Sequence, residues 1–424
     1  MPSSETKRKQ YVLFISISVF LFYAINQSVP SGYSLGATLL LLCSAVYLVQ
    51  NPLPALTTEE KISIGALAAF FLAAVLNFFV HDNGLPALDL PSRFLLAIPI
   101  FLLLIQVPPR QSWFWAGAAV GSYGAGGVAL WQIYGLGLDD VDGLTNGVRY
   151  GGISTMLAIL CAAGLLWARR DNVAHPWLWR AVLVAGMISA GYGSLMSGTR
   201  GAWISLPLVF VLFCLGTFNR GNLYRACMVA LVTLLAAGVW YATVPNNPLR
   251  VGYNQAVQDI SGYMEDGNAL GSISGRFELW RAALLNIPEK PIFGWNNSDY
   301  RARLEQQVAN KQLDPHVLNL AHTHNLYLET MLRQGVVGLL PVLALFIFPF
   351  VFFCRRLRAP DGNVRILAIA GTSLLAVFGM LGASHVVLYR NDTLLFFFIT
   401  LIVLWCCMRA QERQVSAAAS SLFR

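Results

Sequence analysis

Apolar runs of about 20 residues, the length that crosses a hydrocarbon core, recur along most of this 424-residue chain. On that ruler about twelve spans centre near residues 11–27, 33–50, 62–80, 93–107, 113–135, 149–168, 181–197, 203–218, 226–244, 326–354, 366–387 and 393–408. One long stretch breaks the pattern, running polar from Thr243 to Asn325. The pattern predicts an all-α polytopic membrane protein in three parts. Residues 1–242 hold the first group of spans, 243–325 form a large, partly helical loop in water, and 326–424 hold the last spans and a tail. Chemistry is expected at that loop or at its seam with the membrane.

Composition excludes a soluble globule: 56% of residues are hydrophobic, 12% are charged, and the mean hydropathy is +0.58. The net charge of +8 suits a face that meets anionic lipid, so nucleic acid is not implied. Lys7, Arg8, Lys9, Arg169, Arg170, Arg180, Arg220, Arg225, Arg355, Arg356, Arg358, Arg365, Arg409 and Arg413 share one side of a twelve-span arrangement. The positive-inside rule makes that side the cytoplasm and places both termini there. Arg93, Arg149 and Arg200 then lie on the far side, each in a short connection at the end of an apolar span. A charge beside lipid is costly unless it is used. All seven cysteines fall in or beside spans, which argues against a disulfide framework or a thiolate metal site. The charged N-terminus and the apolar run after it read as a retained first helix, because no small-residue cleavage pattern precedes Asn26.

Five outward segments carry candidate chemistry. In HTHNLYLETMLRQGVVG (322–338), His324, Gly335 and Gly338 fall on one stripe of a continuous helix. That puts the histidine at the mouth of the tenth span and two packing glycines about three turns deeper. His316 and His322 lie nearby, but their spacing fits no metal framework and no metal is expected. SLMSGTRGAWISL (194–206) makes a tight hairpin that holds Arg200 at the surface, where a guanidinium can clamp phosphate oxygens. SISGRFELWRAALLNIPEKPIFGW (272–295) predicts a helix that stops at Pro288, with Trp280, Leu284 and Ile287 on its apolar face. Arg276 stands at its anion-friendly start. DGLTNGVRYGGIS (142–154) places Asn146 and Arg149 at the mouth of the sixth span, and ALDLPSRFLLAIP (87–99) places Asp89 and Arg93, an expected ion pair, before the fourth.

The combination of SGTRGAW, SGRFELW with PIFGW, and HN followed nine residues later by GVVG resembles the Wzy-C superfamily. That superfamily contains O-antigen ligases, O-antigen polymerases and protein O-oligosaccharyltransferases, and the chain is most similar to the ligases. The resemblance implies a GT-C-like fold, in which periplasmic helices cap a membrane-level cavity of the bacterial inner membrane. It further implies transfer of a glycan from undecaprenyl diphosphate to a sugar hydroxyl of lipid A-core, with no metal, nucleotide or other cofactor. Charge grows on the departing diphosphate, so fixed cations lower the barrier. Arg200 and Arg276 are the expected clamp, with Arg149 and Arg93 assisting or guiding the acceptor. His324 is the expected general base, though it can equally position the acceptor or bond the diphosphate. His322, Asn325 and Glu329 are secondary candidates beside Asn146. A transporter would show repeated halves and midplane charges, and neither is present in the sequence.

Overall fold

The computed structural model describes residues 4–82, 84–170, 173–218, 241–244, 247–266 and 270–422, together with 224, 228 and 235. The expected span at 226–244 lies almost wholly outside these, as do Arg220 and Arg225. The described chain is helical, with no strand. Its membrane part comprises α1 (Ser4–Ala24), α2 (Gly32–Gln50), α3 (Thr58–His81), α4 (Asp89–Gln106), α5 (Gln111–Leu130), α6 (Gly147–Trp167), α7 (Pro176–Met196), the single turn α8 (Arg200–Trp203) and α9 (Leu206–Thr217). Three lobe helices follow, α10 (Pro248–Asp266), α11 (Ser274–Asn286) and α12 (Asn297–Ala309). The chain then re-enters the bundle as α13 (Leu326–Cys354), α14 (Gly362–Gly382) and α15 (Asn391–Leu422).

Among the described residues nine helical segments are long and apolar enough to cross a membrane, and each coincides with an expected span. Helices α1 and α5 form where two more were expected. α5 is diluted by glycine because α1 packs closely on it: a Cβ on Gly121 would stand 2.2 Å from the Tyr23 carbonyl oxygen. At the face that carries the start of α3 and the end of α13, Arg356 and Arg409 share Glu59, Glu60 and Glu412 at 2.6–3.8 Å. This network ties α3, α13 and α15 together, and the polar lobe lies at the opposite face.

The lobe has its own core of Leu279, Ala282, Ala283, Trp295, Tyr300 and neighbours, and Leu332 of α13 completes it. The buried face of α11 is therefore Leu279, Ala282 and Ala283; of the expected apolar face Ile287 packs against this core and Trp280 is part-buried, but Leu284 is 61% exposed. Small side chains let α11 approach α12 and α13, which a count of bulky apolar positions misses.

α13 is not a continuous helix. Gly335 takes φ 61° and ψ −159°, a conformation open to glycine, so the stripe through His324, Gly335 and Gly338 does not exist. The backbone groups freed by this break are met from outside the helix. Val336 N–H donates to Pro291 O at 2.9 Å and Val337 N–H to Ile292 O at 3.3 Å, while Trp295 N–H donates to Leu332 O at 2.8 Å. Asn77 of α3 donates to both Phe293 O (2.9 Å) and Arg333 O (3.1 Å). Residues 291–295 are thus inserted into the break.

A Cβ at Gly335 would lie 2.2 Å from Ile292 O. Gly335→Ala is expected to destabilise the protein by more than the about 1–3 kcal/mol that a left-handed φ alone costs a non-glycine residue. The measurement is the thermal transition of the detergent-solubilised protein, which should fall well below that of the parent.

Candidate functional site

His324 owes its position to the turn before α13. Its own φ is 53°, an uncommon left-handed backbone for a residue with a side chain. That bend brings the His322 and His324 rings to 4.2 Å between centroids. The His324 N–H donates to His322 Nδ1 at 3.2 Å, so that nitrogen is unprotonated and neutral His322 carries its proton on Nε2. The turn is held at every point. Thr323 N–H donates to Glu329 Oε2 (2.8 Å), Trp280 Nε1 donates to Thr323 O (2.9 Å), and Asn325 Oδ1 caps α13 by accepting from Tyr327 N–H and Leu328 N–H. Asn325 and Glu329 therefore hold the turn, and Glu329 also pairs with Arg333 at 3.2 Å.

Arg276 stands in the first turn of α11, as expected, and makes no hydrogen bond or ion pair among the described residues. Burial, then the neighbouring Arg200 charge, lowers its pKa from the ordinary arginine value. Arg200 opens α8, in a turn braced on α6 by the hydrogen bond from Thr199 Oγ1 to Gly147 O (2.9 Å). Its Nη2 donates to Gln255 Oε1 of α10 at 2.7 Å, so α10 lies over the guanidinium. Arg149, in the first turn of α6, pairs with the buried Asp392 of α15 at 2.9 Å, while Asn146 caps α6 by accepting from Val148 N–H at 3.2 Å. Arg93 pairs with Asp89 at 3.2 Å; it lines a groove of about 190 Å³ among α2, α4 and α15, and among the described residues no contact joins it to the other arginines.

The α14–α15 connection supplies two residues not singled out from the sequence. His385 stands 6.0 Å from His322 and 6.3 Å from His324 between ring centroids, and the Arg390 charge acts on all three imidazoles. Arg390 is exposed and, among the described residues, its side chain has no ion-pair partner. The signal was present: both occupy a short connection at the end of a span, the criterion that picked out Arg149 and Arg200.

Burial first, then His322, Arg276 and Arg390, lowers the His324 pKa to about 4. His322 is lowered chiefly by burial, and His385 to about 3 by burial, the other two histidines, Arg149 and Arg390. All three rings are therefore neutral at pH 7. A neutral imidazole can accept a proton, and the unpaired guanidiniums of Arg276 and Arg390 invite an anion. Among the described residues no group of His, Cys, Asp and Glu has the arrangement of a metal site.

Residues 185–343 match the family model Wzy_C, described as O-antigen ligase. An uncharacterized protein of Haemophilus influenzae is 28% identical over 373 residues, which cover 86% of this chain and 91% of that protein. An O-antigen ligase of Escherichia coli is 24% identical over 237 residues, covering 55% of this chain and 53% of the relative, so the match spans about half of each. The matched region carries Arg200, Arg276, His322 and His324, and over that region this multi-pass membrane protein is similar to the Wzy-C family.

Proposed function

We propose that this protein is an O-antigen ligase of lipopolysaccharide biosynthesis. It transfers a glycan from undecaprenyl diphosphate to a sugar hydroxyl of lipid A-core, at the periplasmic face of the bacterial inner membrane and with inversion at the anomeric carbon. The observation that carries this reading is the meeting of unpaired guanidiniums with neutral imidazoles at the seam between lobe and bundle. Orientation follows from charge: Arg355, Arg356, Arg409 and Arg413 lie at the face opposite the site, and an excess of arginine marks the cytoplasm. The name of the Escherichia coli relative favours a ligase over a polymerase or a protein O-oligosaccharyltransferase.

The chemistry follows from the charges. The acceptor hydroxyl oxygen attacks the anomeric carbon as the bond from that carbon to the diphosphate oxygen breaks. The electron pair leaves with the diphosphate, where Arg200, Arg276 and Arg390 meet the growing charge, and the hydroxyl proton passes to His324. Guanidiniums take the part that a divalent cation plays in other diphosphate chemistry. The same arginines that depress the His324 pKa are neutralised by the bound diphosphate, so the imidazole becomes a stronger base when the donor is in place.

Arg276→Ala and Arg200→Ala are each expected to lower kcat/KM by about 10²–10³-fold, the range for removing one fixed group that meets transition-state charge. A reconstituted transfer assay reads this directly, and parental rates in either variant would remove the clamp. His324→Ala is expected to lower kcat by about 10²–10⁴-fold with the donor KM retained; a raised donor KM at unchanged kcat would instead make His324 a phosphate contact.

The pH profile separates free from loaded enzyme. With a resting His324 pKa of about 4, the base is unprotonated in free enzyme throughout the neutral range. kcat/KM should therefore stay level from pH 8 to about 5 and decline only near 4. The acid limb of kcat, which reports the loaded site, should lie at higher pH. Coincident limbs near the ordinary histidine value would contradict the assignment.

A further inference from the structure

His385 is a buried polar group of the site that the transfer scheme leaves unused. It is 6% exposed, and its Nε2 is buried with no hydrogen-bond partner among the described residues. The position is rigid rather than incidental. Val387 N–H donates to His385 O at 3.0 Å, and Thr393 Oγ1 of α15 donates to Val387 O at 2.5 Å. From the other side α8 closes on the same connection: a Cβ at Gly201 would stand 2.1 Å from Ser384 Oγ. An imidazole fixed in a buried place with an unsatisfied nitrogen is costly to the fold. Such a group is retained where a ligand completes it.

The neighbouring base shows which ligand. His385 lies beside His324, 6.3 Å away between ring centroids, and His324 is the group to which the acceptor hydroxyl passes its proton. A sugar oxygen within reach of both rings therefore belongs to the acceptor. The 6.3 Å between the His324 and His385 rings lets hydrogen bonds of about 2.8 Å from the two rings reach one oxygen or neighbouring oxygens of a single sugar. A metal bound by the three imidazoles is disfavoured by the guanidiniums of Arg149, Arg276 and Arg390 around them.

We infer that His385 is an acceptor-positioning residue: its Nε2 hydrogen-bonds a hydroxyl of the acceptor sugar and turns the reacting hydroxyl toward His324. This rests on the ligase reading of the site and adds a specific group to it. A neutral imidazole serves because it can donate to a sugar oxygen or accept from a sugar hydroxyl, and it adds no charge that would attract the donor's diphosphate.

The test uses the full-length enzyme in detergent, with an undecaprenyl-diphosphate-linked glycan as donor and lipid A-core as acceptor. KM is measured for each substrate in His385→Ala and in His385→Gln, which keeps an amide able to donate and accept. The expected result for His385→Ala is an acceptor KM raised about tenfold, the loss of one buried hydrogen bond, with the donor KM unchanged. His385→Gln should recover part of that loss, which a purely structural role would not produce. An unchanged acceptor KM in both variants, or a raised donor KM in its place, overturns the inference. His324→Ala runs alongside: if it keeps the parental kcat and the parental KM for both substrates, the ligase reading of this site fails, whereas its loss of activity beside parental His385 variants fails only the role given to His385. Should His385→Ala not survive purification, the His385→Gln comparison alone decides, because a parental acceptor KM with no need of an imidazole would contradict the assignment when Gln is further changed to His385→Leu without effect.

Discussion

Everything at the outward face depends on one broken helix. A span that loses its internal hydrogen bonds inside a membrane must find other partners for the freed groups, since lipid offers none. Here Gly335 opens α13, and residues 291–295 enter the gap and bond to its two edges. Gly294, at φ 72°, makes the entry possible: a Cβ there would lie 2.6 Å from Leu332 O. Asn77 and His81 of α3 add their side chains to Phe293 O, and Asn77 also reaches Arg333 O. The lobe is therefore joined to the bundle by backbone hydrogen bonds as well as by apolar packing. Because Leu332 belongs to the lobe core, the first stretch of α13 packs as part of the lobe, and with it the Asn325 cap and the histidine turn.

That junction explains which parts of the site the sequence revealed. Arg149 and Arg200 drew attention as charges at the ends of apolar spans, which are costly unless used, and Arg276 as a cation at the start of a helix, where free amides suit an anion. His324 was found for a reason that was wrong: the stripe it shared with Gly335 and Gly338 assumed helical φ at every position, and hydrophobic period carries no information about a single left-handed residue. The polar Asn77 and His81 near the end of an apolar span, and the glycine of PIFGW, were the traces of the inserted segment. Asn146 and Asn325 were read as ligands of substrate. Both are N-caps, and each precedes the first apolar residues of its span in the way a cap does. His385 and Arg390 lie far along the chain from the segments that bear the resemblance, so only the packing of α14 and α15 brings them to His324.

The pKa shifts and the ion pairs describe one electrostatic state. Three imidazoles in a partly buried pocket would acquire charge readily if carboxylates surrounded them, yet the neighbours that act on them are mainly guanidiniums. Glu329 is the exception, raising His322, and it is engaged with Thr323 and Arg333. The resting site therefore holds its positive charge on arginine alone and keeps its histidines neutral, which separates groups able to bind an anion from groups able to accept a proton.

Pairing divides the arginines by task. Arg93 and Arg149 each have a carboxylate within 3.2 Å, so an incoming phosphate would compete with an existing partner. For Arg149 that partner is buried Asp392, and breaking a buried pair is strongly destabilising. Arg149 is thus better placed to fix the start of α6 against α15, and so to set the position of the α14–α15 connection, than to leave Asp392 for a substrate. Arg200 holds only the neutral Gln255, while Arg276 and Arg390 hold no partner among the described residues. The charge free to meet the proposed diphosphate would come from these three, one from the bundle hairpin, one from the lobe and one from the last connection. No two of them share an element, so an anion bound among them would hold lobe and bundle together at the seam where the broken helix already joins them.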